Sequence, residues 1–338
     1  MIFRFFSFYF ANPDIVYAVE ASDMADMAEK LIEANDWQDV IKVIKGKIED
    51  IELPEKVDVI VSEPIGFLLV HERMLESYIL AREKFLNVKT DKTQQMYPAR
   101  GTIRALPFTD WQLYHELISK SHFWKMQQFF GVDLTALEGH ALSQLFSQPV
   151  IGYFDPSQLI ADERDIASHE VDFRTASVAD DLAYIEMKFR YRITKTSLMH
   201  GLGCWFDVDF LGSQNTVVLT TSPKAPGTHW YQIRLLLSQP LAVNVGQYVS
   251  GVLKMKVNSK FSYDLTLQAE VEGTREPINS INHIALHDPY YHYLNTPTSN
   301  QGPNWETHNA HYGTNFGNTQ GSHLGSTEVD ESVSSENE

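Results

Sequence analysis

Cysteine is almost absent from this 338-residue chain, since Cys204 stands alone. That excludes an intrachain disulfide framework and any zinc site built on clustered thiolates, and it points to a reducing compartment. The surrounding Gly201-Leu-Gly-Cys-Trp-Phe-Asp207 predicts a half-buried strand, with Cys204 as a small core residue rather than a reactive thiol. Basic side chains are also scarce: 27 Lys and Arg face 44 Asp and Glu, for a net charge of −17. Without a basic cluster, nucleic acid is not the expected ligand. No stretch approaches the ~18 apolar residues of a membrane span. The thirteen histidines show no HExxH-type spacing, so no metal is expected. Met1–Phe10 carries six aromatics but no small-residue cleavage site, which argues against a targeting signal.

What remains is globular. The chain is 43% apolar and 12% aromatic, at a length that suits about two domains. From Asp14 to about Leu86, buried strands alternate with amphipathic helices. Ile15–Val19 has the continuous apolar character of a parallel strand. Ser22 to Ala34 follows, with Ser22 as N-cap and Met24, Met27, Ala28 and Leu31 at helical spacing. Val40–Ile44 and Val57–Val61 repeat the strand signature, and Arg73–Leu86 places Leu75, Tyr78, Ile79, Phe85 and Leu86 on one helical face. The pattern predicts an open α/β sheet. After Pro98, Asp110–Ser119 and Leu134–Phe146 read as helices around an aromatic, turn-rich stretch. From Glu170 to about Leu286 alternating strands such as Ile185–Ile193 and Tyr263–Val271 predict a β-sandwich or barrel. Residues 301–338 hold six acidic residues and no Lys or Arg, the composition of a disordered tail.

In open α/β sheets ligands sit beyond the carboxyl ends of the strands, and three of those ends are acidic. Glu20 closes the first strand, where a carboxylate can accept from both hydroxyls of a ribose. Glu49 follows the second in Gly46-Lys-Ile-Glu49, and Glu63 follows the third in Val61-Ser-Glu-Pro-Ile-Gly66. Glu72 stands nine residues after Glu63, across a turn shaped by Pro64 and Gly66. Two facing carboxylates repel unless a cation lies between them. A guanidinium, planar and always charged, donates bidentate bonds to carboxylates and so satisfies both. A metal would need a third ligand, which the neighbourhood lacks. Taken singly, each acid is equally compatible with a solvated loop, and Glu72 with a helix N-terminus.

Val19-Glu-Ala-Ser22, Lys47-Ile-Glu49, Ser62-Glu-Pro-Ile-Gly66, His71-Glu-Arg-Met-Leu-Glu-Ser-Tyr78 and Thr228-His-Trp-Tyr-Gln232 occur in this order. Together they resemble the type I protein arginine methyltransferases, most closely their coactivator-associated branch, from about Asp14 to Thr296. The resemblance implies an incomplete Rossmann-like methyltransferase domain at 14–97, after a divergent aromatic segment at 1–13. A β-barrel domain at 98–296 would follow, with an inserted dimerisation arm at about 109–148, and then an acidic tail at 297–338. It further implies transfer of methyl groups from S-adenosylmethionine to arginine in histones and RNA-associated proteins, giving asymmetric dimethylation in nucleus and cytoplasm. Glu63 and Glu72 would grip the substrate guanidinium and Met74 would restrict product geometry. Glu20 would bind the ribose, and Glu49 and Ser77 the adenine. His229 and Trp230 would lie where barrel and cofactor domain meet, His229 relaying a proton. Exposed aromatics of the arm, Phe123, Trp124 and Phe129, would support a head-to-tail homodimer.

Departures from the family pattern accompany these matches. No glycine precedes Gly46, whereas the family places a glycine-rich loop upstream of the residue matching Glu20. Only Ala11, Asn12 and Pro13 separate the aromatic run from the Asp14 strand, too few for a parallel crossover. The expectation is an N-terminally truncated enzyme. The alternative is an inactive isoform that dimerises or binds arginine peptides without turnover. Phe67 and His71 stand where close relatives carry Tyr and Asn, which bears on substrate preference.

Overall fold

The computed structural model describes residues 14–87, 95–275 and 278–294. The aromatic N-terminal segment and the acidic tail lie outside the described residues. The chain enters through β1 (Val16–Glu20), α1 (Met24–Glu33) and β2 (Ile41–Lys45), and β1 pairs with β2 in parallel, Val16 opposite Ile41 and Glu20 opposite Lys45. Next come β3 (Ile60–Val61), α2 (Met74–Phe85) and β4 (Met96–Tyr97), with β3 and β4 again parallel. The strand expected over Val57–Val61 is thus shorter. Val57 contributes only an isolated bridge to Leu86.

On α1 the apolar face differs from the expected one. Met24, Met27 and Leu31 are 52%, 46% and 55% exposed, while Ala25, Ala28 and Ile32 are buried. Ile32 packs with Ala18 of β1 and Ile41 of β2, and Met24, Met27 and Leu31 are left outside. Ser22 is not the N-cap residue, a position held by Asp23 without a side-chain cap bond. The Ser22 hydroxyl does accept the N–H of Met24 at 3.3 Å. On α2 the expected face is buried as read, and the Tyr78 hydroxyl donates to the Pro98 carbonyl at 2.8 Å.

The remainder is mostly antiparallel. In chain order it comprises β5 (Arg100–Phe108), α3 (Trp111–Ser121), α4 (Glu138–Phe146), β6 (Val150–Gly152), β7 (Ala167–Asp172), β8 (Tyr184–Arg192) and β9 (Ser197–Leu211). After these come β10 (Thr216–Thr220), β11 (Gln232–Val243), β12 (Tyr248–Val257), β13 (Tyr263–Val271), β14 (Ile278–Ala285) and β15 (Tyr290–Tyr291). One sheet runs β15-β6-β11-β9-β5-β7, with β10 on β9. The second runs β14-β13-β12-β8. β8 alternates exposed and buried along its whole length, as its sequence predicts. β5 does not alternate, because it is covered on both faces, and it was not expected as a strand. Cys204 is fully buried, and that burial raises its thiol well above the usual value.

The core between the two sheets, with Leu202, Phe206, Leu235 and Leu253, is continuous with Leu69, Leu75 and Ile79. The loop between β3 and α2 is therefore anchored in the same apolar mass as the barrel. That continuity positions the candidate site.

Candidate active site

Glu63 and Glu72 sit at the two ends of the loop joining β3 to α2. The loop has an unusual backbone: Leu68, Leu69, Glu72 and Arg73 all have φ between 53° and 70°. Left-handed conformations of bulky side chains are costly and persist only where their surroundings hold them. Here Leu68, Leu69 and Val70 are buried. Gly66 closes the loop on itself, its N–H donating to the Leu69 carbonyl at 3.3 Å. A Cβ at Gly66 would lie 2.1 Å from the His71 carbonyl oxygen, so only glycine permits this approach.

Glu63 reaches solvent, yet its carboxyl is held above the ordinary glutamate range. The protein packed around it is the larger cause and the negative charge of Glu72 the second, partly offset by the Ile65 N–H that it accepts. Glu72 lies just before the N-terminus of α2, in a solvent-exposed turn. The fold thus presents two acids to each other across a loop whose shape the buried leucines determine. Such a pair can accept one cation with several N–H donors.

The barrel holds this loop from the other side. Trp230 Nε1 donates to the Ile65 carbonyl at 3.1 Å, and its ring meets Phe206 edge-on. His229 is exposed, with its ring against that of Trp230 at 3.9 Å between centroids. Met74, the first residue of α2, is half-buried beside Glu72 in the chain.

The remaining predicted residues are Glu20, Glu49 and Ser77. Glu20 ends β1, and its Oε1 accepts the Ser22 N–H at 2.9 Å and the Ser22 hydroxyl at 2.8 Å. Glu49 and Ser77, 28 residues apart in sequence, meet directly, the Ser77 hydroxyl donating to Glu49 Oε1 at 2.6 Å.

Several contacts around the site, with Ser262, Asn258, His287 and Tyr291, carried no signal in the sequence. His71 Nδ1 lies 2.8 Å from the hydroxyl of Ser262, and Arg73 donates to the Asn258 carbonyl at 3.1 Å while clasping Glu76. Burial lowers the pKa of His71 below the usual histidine value; Glu72 opposes this and His287 adds to it. Tyr291, on the short β15, is raised by burial, by Tyr293 and by the charge of Glu72, and its ring lies 6.1 Å from that of Phe67. Only the pairing of distant strands brings these groups together.

The model of the arginine methyltransferase oligomerization subdomain matches residues 99–274, just over half of the chain. The chain belongs to the protein arginine methyltransferase family. Among family members of known sequence, the histone-arginine methyltransferase CARMER of Drosophila persimilis is 44% identical over 294 residues, covering 85% of this chain and 53% of that protein. The probable histone-arginine methyltransferase CARMER of Drosophila melanogaster matches at the same identity and coverage. The chain therefore spans about half the length of the curated relatives it matches. Among solved structures, protein arginine methyltransferase 10 of Arabidopsis thaliana superposes with a TM-score of 0.68 at 28% identity, over 80% of this chain and 83% of that one. The enzyme-prozyme heterotetrameric complex of Trypanosoma brucei PRMT1 with AdoHcy gives 0.67 at 27% identity, over 81% and 82%. The family fold, a Rossmann-like methyltransferase part followed by a β-barrel, is the one described above.

Proposed function

We propose that this chain serves protein arginine N-methylation, with S-adenosylmethionine as methyl donor and arginine-bearing proteins, histones among them, as acceptors. The observation that carries this is the pair Glu63 and Glu72, set against each other at the two ends of one strained loop. A guanidinium between them relieves their repulsion and donates charge-assisted bonds to both. Polarised from two sides, it keeps electron density on the terminal nitrogen that attacks, so the step needs positioning more than a strong base. The proton that the nitrogen loses leaves towards solvent, with His229 as the relay that this reading assigns. Met74 borders the acceptor side and limits how many methyl groups fit on one nitrogen.

The residues present suit the nucleoside part of the cofactor. Glu20 stands at the carboxyl end of a parallel strand, where a ribose is held in this class of sheet. Glu49 and Ser77 already form a polar pair at 2.6 Å, available to an adenine. When bound, S-adenosylmethionine supplies an electrophilic methyl group on sulfur.

The same reading includes self-association. The tip between α3 and α4 exposes Phe123 and Val132 and leaves Phe130 93% exposed, while Trp124 and Phe129 pack half-buried around Phe123. α1 exposes Met24, Met27 and Leu31. Two apolar patches on one chain suit a dimer in which each arm covers the partner's α1. The histone-acting names of the relatives support a nuclear role for the whole protein. No helix among the described residues is long and apolar enough to cross a membrane.

Calorimetry with an arginine peptide and its citrulline counterpart, together with methyl incorporation from labelled S-adenosylmethionine, tests the proposal. Binding that prefers arginine, with incorporation lost in Glu63→Gln, is expected. Equal affinity for the two peptides would overturn it.

A further inference from the structure

The residues on either side of Glu72 are both tied to the same hairpin. His71 Nδ1 lies 2.8 Å from the hydroxyl of Ser262, which is fully buried. On the other side, the Arg73 guanidinium donates to the Asn258 carbonyl at 3.1 Å. Asn258 and Ser262 close the turn between β12 and β13. The Asn258 N–H donates to the Ser262 carbonyl at 2.9 Å, and Asn258 Oδ1 accepts from Lys260 and Ser262. Asn258 Nδ2 is in turn held by Asp264 at 2.8 Å and lies 3.3 Å from His287. The His71 ring is also stacked on Phe67 at 5.8 Å, and its carbonyl is packed against Gly66. Glu72, with φ of 69°, is therefore the unpinned link in a bracket fixed at both ends. One half of that bracket, Arg73, keeps its charge through the pH range of a cell, whereas the other half titrates.

We propose that His71 is a positioning residue for the arginine clasp: as a neutral ring bonded to Ser262 it leaves Glu72 to the guanidinium, and on taking a proton it draws Glu72 to itself. This rests on the reading of Glu63 and Glu72 as that clasp. The charged and titratable groups around the ring set the direction. Glu72 beside it favours the protonated ring, and His287, from the turn after β14, disfavours it. Arg73 is engaged by Glu76 and Asp264 by Asn258, Lys260 is exposed on the hairpin, and the Tyr263 hydroxyl donates to the Leu182 carbonyl. Burial is the largest influence, and it keeps the ring neutral at pH 7. A guanidinium arriving at Glu72 adds a second positive charge and disfavours the protonated ring further. Arginine binding and His71 protonation thus oppose each other, and by linkage each weakens the other equally.

The test is calorimetry of the full chain with an arginine peptide from pH 5.5 to 8, in buffers of different ionisation enthalpy, alongside His71→Asn and Ser262→Ala. An NMR titration of the His71 ring accompanies it. In the unmodified chain affinity falls about threefold or more towards the acid end, less than one full unit of titration because His71 is held below the usual histidine value, and binding there releases protons. His71→Asn binds about threefold more weakly at pH 7.5, because its amide meets Ser262 less well, and it loses the His71 share of the proton release. The Glu63 share remains, at the most acid pH values. Ser262→Ala weakens binding at pH 7.5 and retains the acid decline. A pH profile in His71→Asn identical to that of the unmodified chain overturns the proposal while the clasp stands, and so does an unchanged affinity in Ser262→Ala. A failure to prefer arginine over citrulline in every protein overturns the clasp, and the role of His71 with it.

Discussion

Ionising Glu63 works against the fold. Its carboxyl holds a proton more tightly in the folded chain than in the unfolded one, through burial first and the Glu72 charge second. A raised pKa favours the fold below the ordinary glutamate range, and that advantage disappears as the pH rises through the raised value. Glu63→Gln is therefore expected to melt at a higher temperature than the unmodified chain at pH 7.5 and at nearly the same temperature at pH 4. Arginine-peptide affinity in the same variant falls at least about tenfold, as when one partner of a desolvated charge pair is removed. Circular dichroism melts at the two pH values and calorimetry check both halves; a lower melting temperature at pH 7.5 would contradict them. Gly66 carries the opposite balance. A methyl group there meets the backbone carbonyl of His71 at 2.1 Å, which a rotamer change cannot relieve. Gly66→Ala is expected to cost about 2 kcal/mol, in the range of an overpacked site, measured by urea unfolding, and to weaken peptide binding by displacing Glu72.

α3 is joined to the barrel through a buried ion pair. Asp110 caps the helix by accepting the Leu113 N–H at 3.0 Å, and its other oxygen accepts from Arg234 on β11 at 2.9 Å. Burial lowers the pKa of the Arg234 guanidinium, and Asp110 opposes that shift. Arg234→Met leaves an unpaired acid in the interior and is expected to cost about 3 to 5 kcal/mol. Asp110→Asn combined with Arg234→Met removes the stranded charge and regains most of it, as urea unfolding of the three proteins will show. No feature of the sequence announces this pair, because its partners are 124 residues apart. The same distinction runs through the molecule. β8 was legible because one face meets water, so polar and apolar residues alternate. β5 was not, since a strand covered on both faces carries no alternation. The order of acids at strand ends located Glu20, Glu49 and Glu63, and the nine-residue spacing located Glu72. Ser262 and Asn258, which hold the residues beside Glu72, reach the loop only through the pairing of β12 with β13. On α1 the spacing identified the helix and the burial of Ala28, but it is Ala25 and Ile32 that share the buried face, and Met24, Met27 and Leu31 lie outside it.

The misread face of α1 matters for the whole molecule. Three large apolar side chains in water are an unfavourable arrangement for a monomer, and so is an arm ending in Phe130. In the dimer proposed above each patch would remove the other from water, since an arm on α1 would be answered by the partner's arm on the first copy's α1. That closes the assembly at two chains instead of propagating a filament. Sedimentation equilibrium at micromolar concentration is accordingly expected to give twice the 38.6 kDa chain mass. Phe130→Glu and Met27→Glu are each expected to shift the chain to the monomer, by placing a carboxylate in the apolar contact. Both residues are exposed in the single chain, so neither change should lower its folding stability by more than about 0.5 kcal/mol. Phe130→Glu combined with Met27→Lys restores part of the dimer at low salt, and the gain declines as the ionic strength rises. A monomer in the unmodified chain, or a dimer insensitive to both single changes, would separate the exposed face of α1 from the arm. If the pairing holds, a mixture of Phe130→Glu with Met27→Glu chains offers a last check. Each such pair keeps one intact contact of the two, and its dissociation constant should fall between those of the unmodified dimer and of either variant alone.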